Sequence, residues 1–288
     1  MAILKTEHLT YSYSTGTPFE VTAIEDINIE IEPGELVAVI GHTGSGKSTL
    51  IQHFNGLLKP QSGKVYVDGQ DIWESKKTLR ASRFAVGLCF QYPEYQLFEE
   101  TVYKDIAFGP KNMKLSEEEI DRRVREAARF IGVTDDMIEK SPFDLSGGEK
   151  RRVAIAGVMA MEPKILILDE PTAGLDPRGR DTIMGLIRNY REETGRTVMI
   201  VSHSMDDVAE IATKVLVIND RHVAMYGTVP EIYARSDELV AMGLDIPQVT
   251  KVFLGLKENG LPVRTDIFTV EQARAELRAL REKGVLAW

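Results

Sequence analysis

The run Gly41-His42-Thr43-Gly44-Ser45-Gly46-Lys47-Ser48 sets glycines, a lysine and a hydroxyl at the spacing G-x-x-x-x-G-K-S. Glycines at these intervals let successive backbone N–H groups wrap an anion, so the octet spells a phosphate-binding loop. Lys47 would reach the terminal phosphates of a nucleotide, and the Ser48 hydroxyl would ligate Mg²⁺. Metal chemistry of this kind needs a carboxylate as well, and Ile165-Leu166-Ile167-Leu168-Asp169-Glu170 supplies one at the end of an apolar run. Asp169 would hold Mg²⁺ through water. Glu170, next along, is placed to polarise an attacking water as general base. An apolar run ending in two acids says little alone, because strands often end in solvated carboxylates; the loop upstream gives it meaning.

The elements around these residues are those that such a site requires. Leu36-Val37-Ala38-Val39-Ile40 has no polar alternation, the pattern of a strand buried on both faces, and a helix should begin near Gly46 and end before Pro60. Upstream, Ile24, Ile27, Ile29 and Ile31 are spaced as in a strand that shifts register once, before a turn at Pro33-Gly34. Two short strands are expected around Lys64 to Val67, with a tight turn at Asp68-Gly69. From Gln91 to about Met161 the pattern is helical: Ser116 to Glu119 reads as a capping box, and Ile120, Val124, Ala127, Ala128 and Ile131 share one face. Apolar strands return at Ile165–Leu168 and Val198–Val201, each after a helical stretch, as in a doubly wound α/β sheet. Lys214 to Met225 reads as two strands joined at Asn219-Asp220. The division expected is a nucleotide-binding domain over 1–229, with its helical subdomain at about 92–161, and a small, mostly helical tail domain over 230–288. In that tail Thr269 to Gln272 caps a last helix whose Ala273, Leu277 and Leu280 share a face.

Composition narrows the function classes. The 35 basic against 44 acidic side chains leave a net charge of -9, which disfavours broad binding to nucleic acid. The one cysteine, Cys89, lies in the apolar run Val86 to Phe90 and reads as core filler, so a reducing compartment is expected. Met1 to Thr10 lacks the apolar stretch of a signal peptide. No window approaches the ~18 uninterrupted apolar residues of a membrane span, so membrane contact is expected only through partners.

A phosphate loop and an acidic strand end would suit many nucleotide enzymes; Leu145-Ser146-Gly147-Gly148-Glu149 discriminates among them. This run resembles the signature of ABC ATPases, and the resemblance extends in motif order from Ile3 to about Tyr226. It implies the P-loop fold of the ABC type, with an antiparallel N-terminal subdomain, a helical insertion and ATP as ligand. It also implies that Gly41 to Ser48, together with Thr49, hold ATP, and that Ser146, Gly147 and Gly148 meet the γ-phosphate of ATP held by the P-loop of a second subunit. Gln91 resembles the Q-loop glutamine that senses Mg²⁺ and the attacking water, and His203, in Val-Ser-His, the switch histidine. Asp176, in Ala173-Gly174-Leu175-Asp176, resembles the D-loop aspartate. Tyr13 is similar to the aromatic that stacks on adenine, with Tyr11 as competitor. Glu149 departs from the glutamine that many relatives carry, and full activity is expected regardless.

Phe90-Gln91-Tyr92-Pro93-Glu94-Tyr95-Gln96-Leu97-Phe98, followed by Thr101-Val102, Asp105 and Phe108 to Asn112, narrows the resemblance to the energy-coupling-factor ATPases of vitamin and cobalt or nickel uptake. Within them the chain is more similar to the second of two paralogous subunits. This branch implies a heterodimer with the paralogous ATPase docked on a transmembrane coupling protein, which holds an exchangeable substrate-binding membrane protein, with this chain peripheral at the cytoplasmic face of the cell membrane. The alternatives are another class of ABC transporter or a non-transport ABC ATPase. Repair and chromosome ATPases of that kind insert a long coiled coil or zinc module, for which the interval from Lys47 to Leu145 leaves no room.

Overall fold

The computed structural model describes residues 1–283; the end of the expected tail domain, residues 284–288, lies outside the described residues. The chain opens with strands β1 (Leu4–Tyr13) and β2 (Val21–Ile31), then β3 (Leu36–Ile40) and helix α1 (Lys47–Phe54). It returns as β4 (Ser62–Val67) and β5 (Gln70–Asp71), and α2 (Lys76–Ala85) leads into β6 (Val86–Cys89). A 3-10 turn at Pro93–Gln96, α3 (Val102–Asn112), α4 (Glu117–Ile131), α5 (Asp135–Ile138) and α6 (Gly147–Met159) form the helical insertion. β7 (Ile165–Asp169), α7 (Pro177–Thr194), β8 (Thr197–Val201), α8 (Met205–Ile211), β9 (Lys214–Asn219) and β10 (His222–Thr228) complete the core, followed by α9 (Val229–Tyr233), α10 (Ser236–Ala241), α11 (Gln248–Glu258) and α12 (Val270–Glu282).

Two sheets result. An antiparallel one runs β2-β1-β4-β5, and a six-stranded one runs β10-β9-β3-β8-β7-β6, parallel except for β10. The order explains the unalternating sequences, because both faces of the larger sheet are covered. Leu36, Ala38 and Ile40 of β3, with Leu166 and Leu168 of β7 and Val198 and Ile200 of β8, enter the core shared with the helical insertion and α7. Val37 and Val39, with Ile165, Ile167, Met199 and Val201, enter the opposite core, shared with α1 and the antiparallel sheet. Period-two alternation is therefore present, but between two apolar environments.

Three local readings are corrected. Register slips more than once along the β1–β2 pair, with His8 and Asp26 in left-handed conformation at the irregularities. Ser116 caps α4 by accepting from the Glu119 N–H, but no capping box closes, because the Glu119 carboxylate turns to Arg122 and Arg123 at 2.7 Å each. An additional helix, α2, precedes β6; its Ser75 and Thr78 make the reciprocal box.

The C-terminal segment divides its packing. Val229, Ile232, Tyr233, Leu239, Leu244, Ile246 and Phe268 join the main core, and the Tyr233 hydroxyl donates to the Met205 carbonyl at 3.1 Å. Phe253, Val263, Ile267, Ala273 and Leu280 build a separate small core between α11 and α12. Among the described residues no helix is long and apolar enough to cross a membrane.

Candidate functional site

Strands β3, β8 and β7 are adjacent and parallel, so their carboxyl ends open side by side, where open α/β sheets bind ligands. The loop Gly41–Gly46 leaves β3, the His203 turn leaves β8, and Asp169-Glu170 ends β7. Backbone bonds continue past the strands, from the Glu170 N–H to the Val201 carbonyl and from the Ser202 N–H to the Val39 carbonyl, fixing the three ends relative to one another.

Glycine is required in the loop for steric reasons. A Cβ on Gly41 would stand 2.3 Å from the Ile218 carbonyl oxygen. One on Gly46, whose φ is +106°, would stand 2.4 Å from the Ala23 oxygen. Lys47 is buried and folds back, donating to the Gly41 and His42 carbonyls at 2.8 and 3.0 Å. Burial holds its ammonium below the ordinary lysine range, opposed by the charges of Glu170 and Asp169. Ser48 donates to Asp169 Oδ2 at 3.4 Å. Burial raises the Asp169 carboxyl, against the pull of Ser48 and Lys47.

Glu170 has the features of a poised base. Its backbone is left-handed, φ +50°, and its side chain is only 15% exposed. Burial, with the Asp169 charge beside it, pushes its carboxyl up to about 7, against Lys47 and the His203 backbone N–H. Its Oε1 approaches His203 Nε2 at 3.3 Å without the alignment of a hydrogen bond, so among the described residues this buried oxygen has no hydrogen-bond partner. Partial burial, and then the Lys47 charge, lower the His203 imidazole below its ordinary value. Arg180 of α7 steadies its turn, donating to Asp207 at 2.7 Å and to Ser204.

The remaining expected residues have defined places. Tyr13, 41% exposed, donates to or accepts from Thr49 Oγ1 at 3.1 Å, and its ring meets Tyr11 edge-on; Tyr11 is packed in turn against His53. Gln91 is exposed just beyond β6. Asp176 caps α7, accepting from the Gly179 N–H at 2.8 Å. Ser146 and Gly147 lie exposed at the start of α6, where Glu149 closes a capping box by accepting from the Ser146 N–H at 2.8 Å and its hydroxyl at 2.6 Å. Among the described residues they make no hydrogen bond to their own P-loop. Sequence reasoning passed over Arg151 and its partner Glu94, which join at 2.6 and 3.0 Å. The available signal was a cation one and two turns before Ile155 and Met159, in the buried register of α6.

The donor set fits a magnesium nucleotide: a hydroxyl and a carboxylate oxygen lie side by side for a hard cation, and backbone N–H groups with Lys47 remain for phosphates. Among the described residues there is no group of three or more His, Cys, Asp or Glu side chains that could hold a metal ion. This sheet and this loop define a P-loop ATPase.

Comparison with known proteins narrows the class. The model of the ABC transporter family matches residues 24–173. The energy-coupling factor transporter ATP-binding protein EcfA2 of Clostridium tetani is 55% identical over 95% of this chain and 96% of its own length. Its namesake in Clostridium acetobutylicum is 54% identical over 98% and 99%. Among solved structures, cbiO1 of Clostridium perfringens, described as part of the ABC transporter complex cbiONQ, superposes with a TM-score of 0.74 at 44% identity, covering 83% of this chain and 94% of that one. The cassette MJ0796, solved as a dimer in a post-hydrolysis state with ADP and Pi, gives 0.69 at 29% identity, over 78% and 98%. The chain belongs to the ABC transporter ATPases and, among them, to the ATP-binding proteins of energy-coupling factor transporters, where it resembles the second of the two paralogous subunits. It is an ATP hydrolase coupled to transport.

Proposed function

We propose that this chain is one of two unlike ATPases that close face to face over two ATP molecules and thereby drive a membrane importer for a vitamin or a transition-metal ion. The observation that supports it is the separation of the two halves of the chemistry. Lys47, Asp169, Glu170 and His203 gather at the carboxyl ends of β3, β7 and β8, while Ser146 and Gly147 lie exposed with no phosphate loop of their own to meet. A second subunit supplies what each half lacks. The other parts are a transmembrane coupling protein and an exchangeable substrate-binding membrane protein, with this chain as a peripheral subunit at the cytoplasmic face. Residues 1–229 form the nucleotide-binding domain, with the helical subdomain at about 92–161, and 230–288 form a tail that helps hold the ATPases together.

In this mechanism Lys47 exchanges the Gly41 and His42 carbonyls for the terminal phosphates, and the loop N–H groups bind the remaining oxygens. Ser48 and Asp169, with Gln91, would hold Mg²⁺, which would supply neutralisation of phosphate charge. Glu170 accepts a proton from the attacking water, a task suited to a carboxyl near 7, while His203 donates to the γ-phosphate. Tyr13, set by Thr49, stacks on adenine, and Asp176 faces the partner's site across the seam. Because ATP touches both subunits only in the closed form, it shifts the population toward closure. Purifying the tagged chain in mild detergent and identifying its companions by mass spectrometry tests the reading: a second ABC ATPase and membrane proteins should co-elute, and recovery of the chain without any membrane protein overturns it.

A further inference from the structure

Arg151 lies on α6, one turn beyond the signature residues, yet its side chain is only 3% exposed. Its guanidinium reaches three segments. Nε and Nη2 form a fork on the Glu94 carboxylate at 3.0 and 2.6 Å, in the turn after Gln91. Nη1 donates to the Pro171 carbonyl at 3.3 Å and the Ala173 carbonyl at 2.5 Å, in the stretch directly after Glu170. The Tyr92 ring covers the group, with 5.7 Å from its centroid to Cζ, and a methyl placed on Gly174 would meet that ring at 3.7 Å. Tyr92 is held left-handed at φ +56°, a conformation uncommon for an aromatic residue. Burial pushes the Glu94 carboxyl up, but the Arg151 hydrogen bonds and charge outweigh it and leave it below its ordinary value, so the pair is ionised. Packing alone does not require a buried ion pair; an apolar pair of equal volume serves stability as well. What the fork adds is direction, because a planar guanidinium fixes the distance and angle among all its acceptors.

We infer that Arg151 is a positioning residue for hydrolysis: it couples movement of the signature helix to the placement of Glu170 and of the D-loop that follows it. The inference rests on the composite-site reading above, in which α6 is drawn toward the nucleotide of the partner's loop. Through Nη1, that displacement pulls the Pro171 and Ala173 carbonyls, and with them the segment immediately after the base. The Glu94 turn moves in the same step, so the Q-loop, the signature helix and the D-loop shift as one body. A chain in which the signature is docked is then also one in which its own Glu170 is aligned.

The test uses the full chain purified with its associated subunits, measuring affinity for a non-hydrolysed fluorescent ATP analogue alongside steady-state kcat and KM. Arg151→Met should leave nucleotide affinity unaltered and lower kcat by about 100-fold, the effect of a reacting group displaced by a fraction of an ångström to an ångström. Leaving Glu94 buried and unpaired also weakens the fold, so the double variant Arg151→Met with Glu94→Gln is measured beside it. Thermal stability should return in the double variant while kcat stays low. Recovery of kcat together with stability would mean the pair serves the fold alone, and would overturn the inference. Normal turnover in Arg151→Met has the same consequence. Ser146→Ala separates the two levels of argument: if it too hydrolyses ATP normally, the composite site itself is refuted and the inference falls with it, whereas an inactive Ser146→Ala beside a fully active Arg151→Met refutes the inference only.

Discussion

Replacing Glu170 with Gln should move two observables in opposite directions. The carboxyl titrates near 7 in the folded chain against an ordinary 4.5, because burial and the Asp169 charge disfavour its ionised form. A folded-state value raised in this way means that the fold is penalised as pH climbs. The penalty is absent below about 4.5, grows between 4.5 and 7, and is constant above. At pH 7 it is about 3 kcal/mol, from about 1.4 kcal/mol per decade between the two values less the half-protonation at the upper one. Gln has the same shape and no charge. Its amide must find a partner where Oε1 has none, which returns about 1 kcal/mol. The variant should therefore be more stable by about 2 kcal/mol at pH 7, or roughly 4 °C in melting temperature, with the gain vanishing near pH ~5 and reversing below it. Turnover should drop by about 10²–10⁴-fold, the contribution of a positioned base. Nucleotide binding should persist, and closed dimer should accumulate. Scanning calorimetry from pH 4.5 to 8 and a phosphate-release assay on one preparation give both quantities. Normal hydrolysis in the variant would refute the assignment of the base, and a melting temperature lowered at pH 7 would refute the account of why its carboxyl titrates so high.

Three further outcomes follow from the same geometry. Lys47→Ala should weaken ATP binding by about 100-fold in equilibrium titration, since a charge-assisted contact worth about 3 kcal/mol is lost. Tyr13→Ala should weaken ATP binding with little change in melting temperature, because that ring is partly exposed, whereas Tyr11→Ala, which unpacks His53, should lower the melting temperature; the reverse pattern would exchange their roles. Cys89, buried and with its thiol pushed up to about 12, should resist alkylation at pH 8 in the native chain and react on unfolding, as mass spectrometry of the labelled protein will read.

The catalytic edge was legible because its parts are local in sequence. A loop of fixed glycine spacing, an apolar strand ending in Asp169-Glu170 and a capped helix opening at Ser146 each carry their pattern within a few residues, and strand order then brings the first two together. What escaped was non-local or competitive. Arg151 and Glu94 are 57 positions apart, so no window contains both. The box expected at Ser116 lost its second half to arginines one turn along, a competition invisible to a four-residue motif. Helix α2 buries only Ser82, so it lacks the apolar stripe by which helices are found, although the box at Ser75 and Thr78 was there to be read. The slips in β1–β2 depend on left-handed His8 and Asp26, residues without the glycine that usually announces such a bend.

The six-stranded sheet is also a partition wall. Helix α1, which grips phosphate, is rooted in the oil on one side of it, and the insertion that carries Ser146 is rooted in the oil on the other, with neighbouring residues of each strand serving opposite rooms. The lobe bearing the signature can thus tilt, loosen or be levered by a neighbour without unseating the residues beneath the nucleotide. The two lobes meet at the carboxyl ends of β3, β8 and β7, along the loops where the chemistry is done.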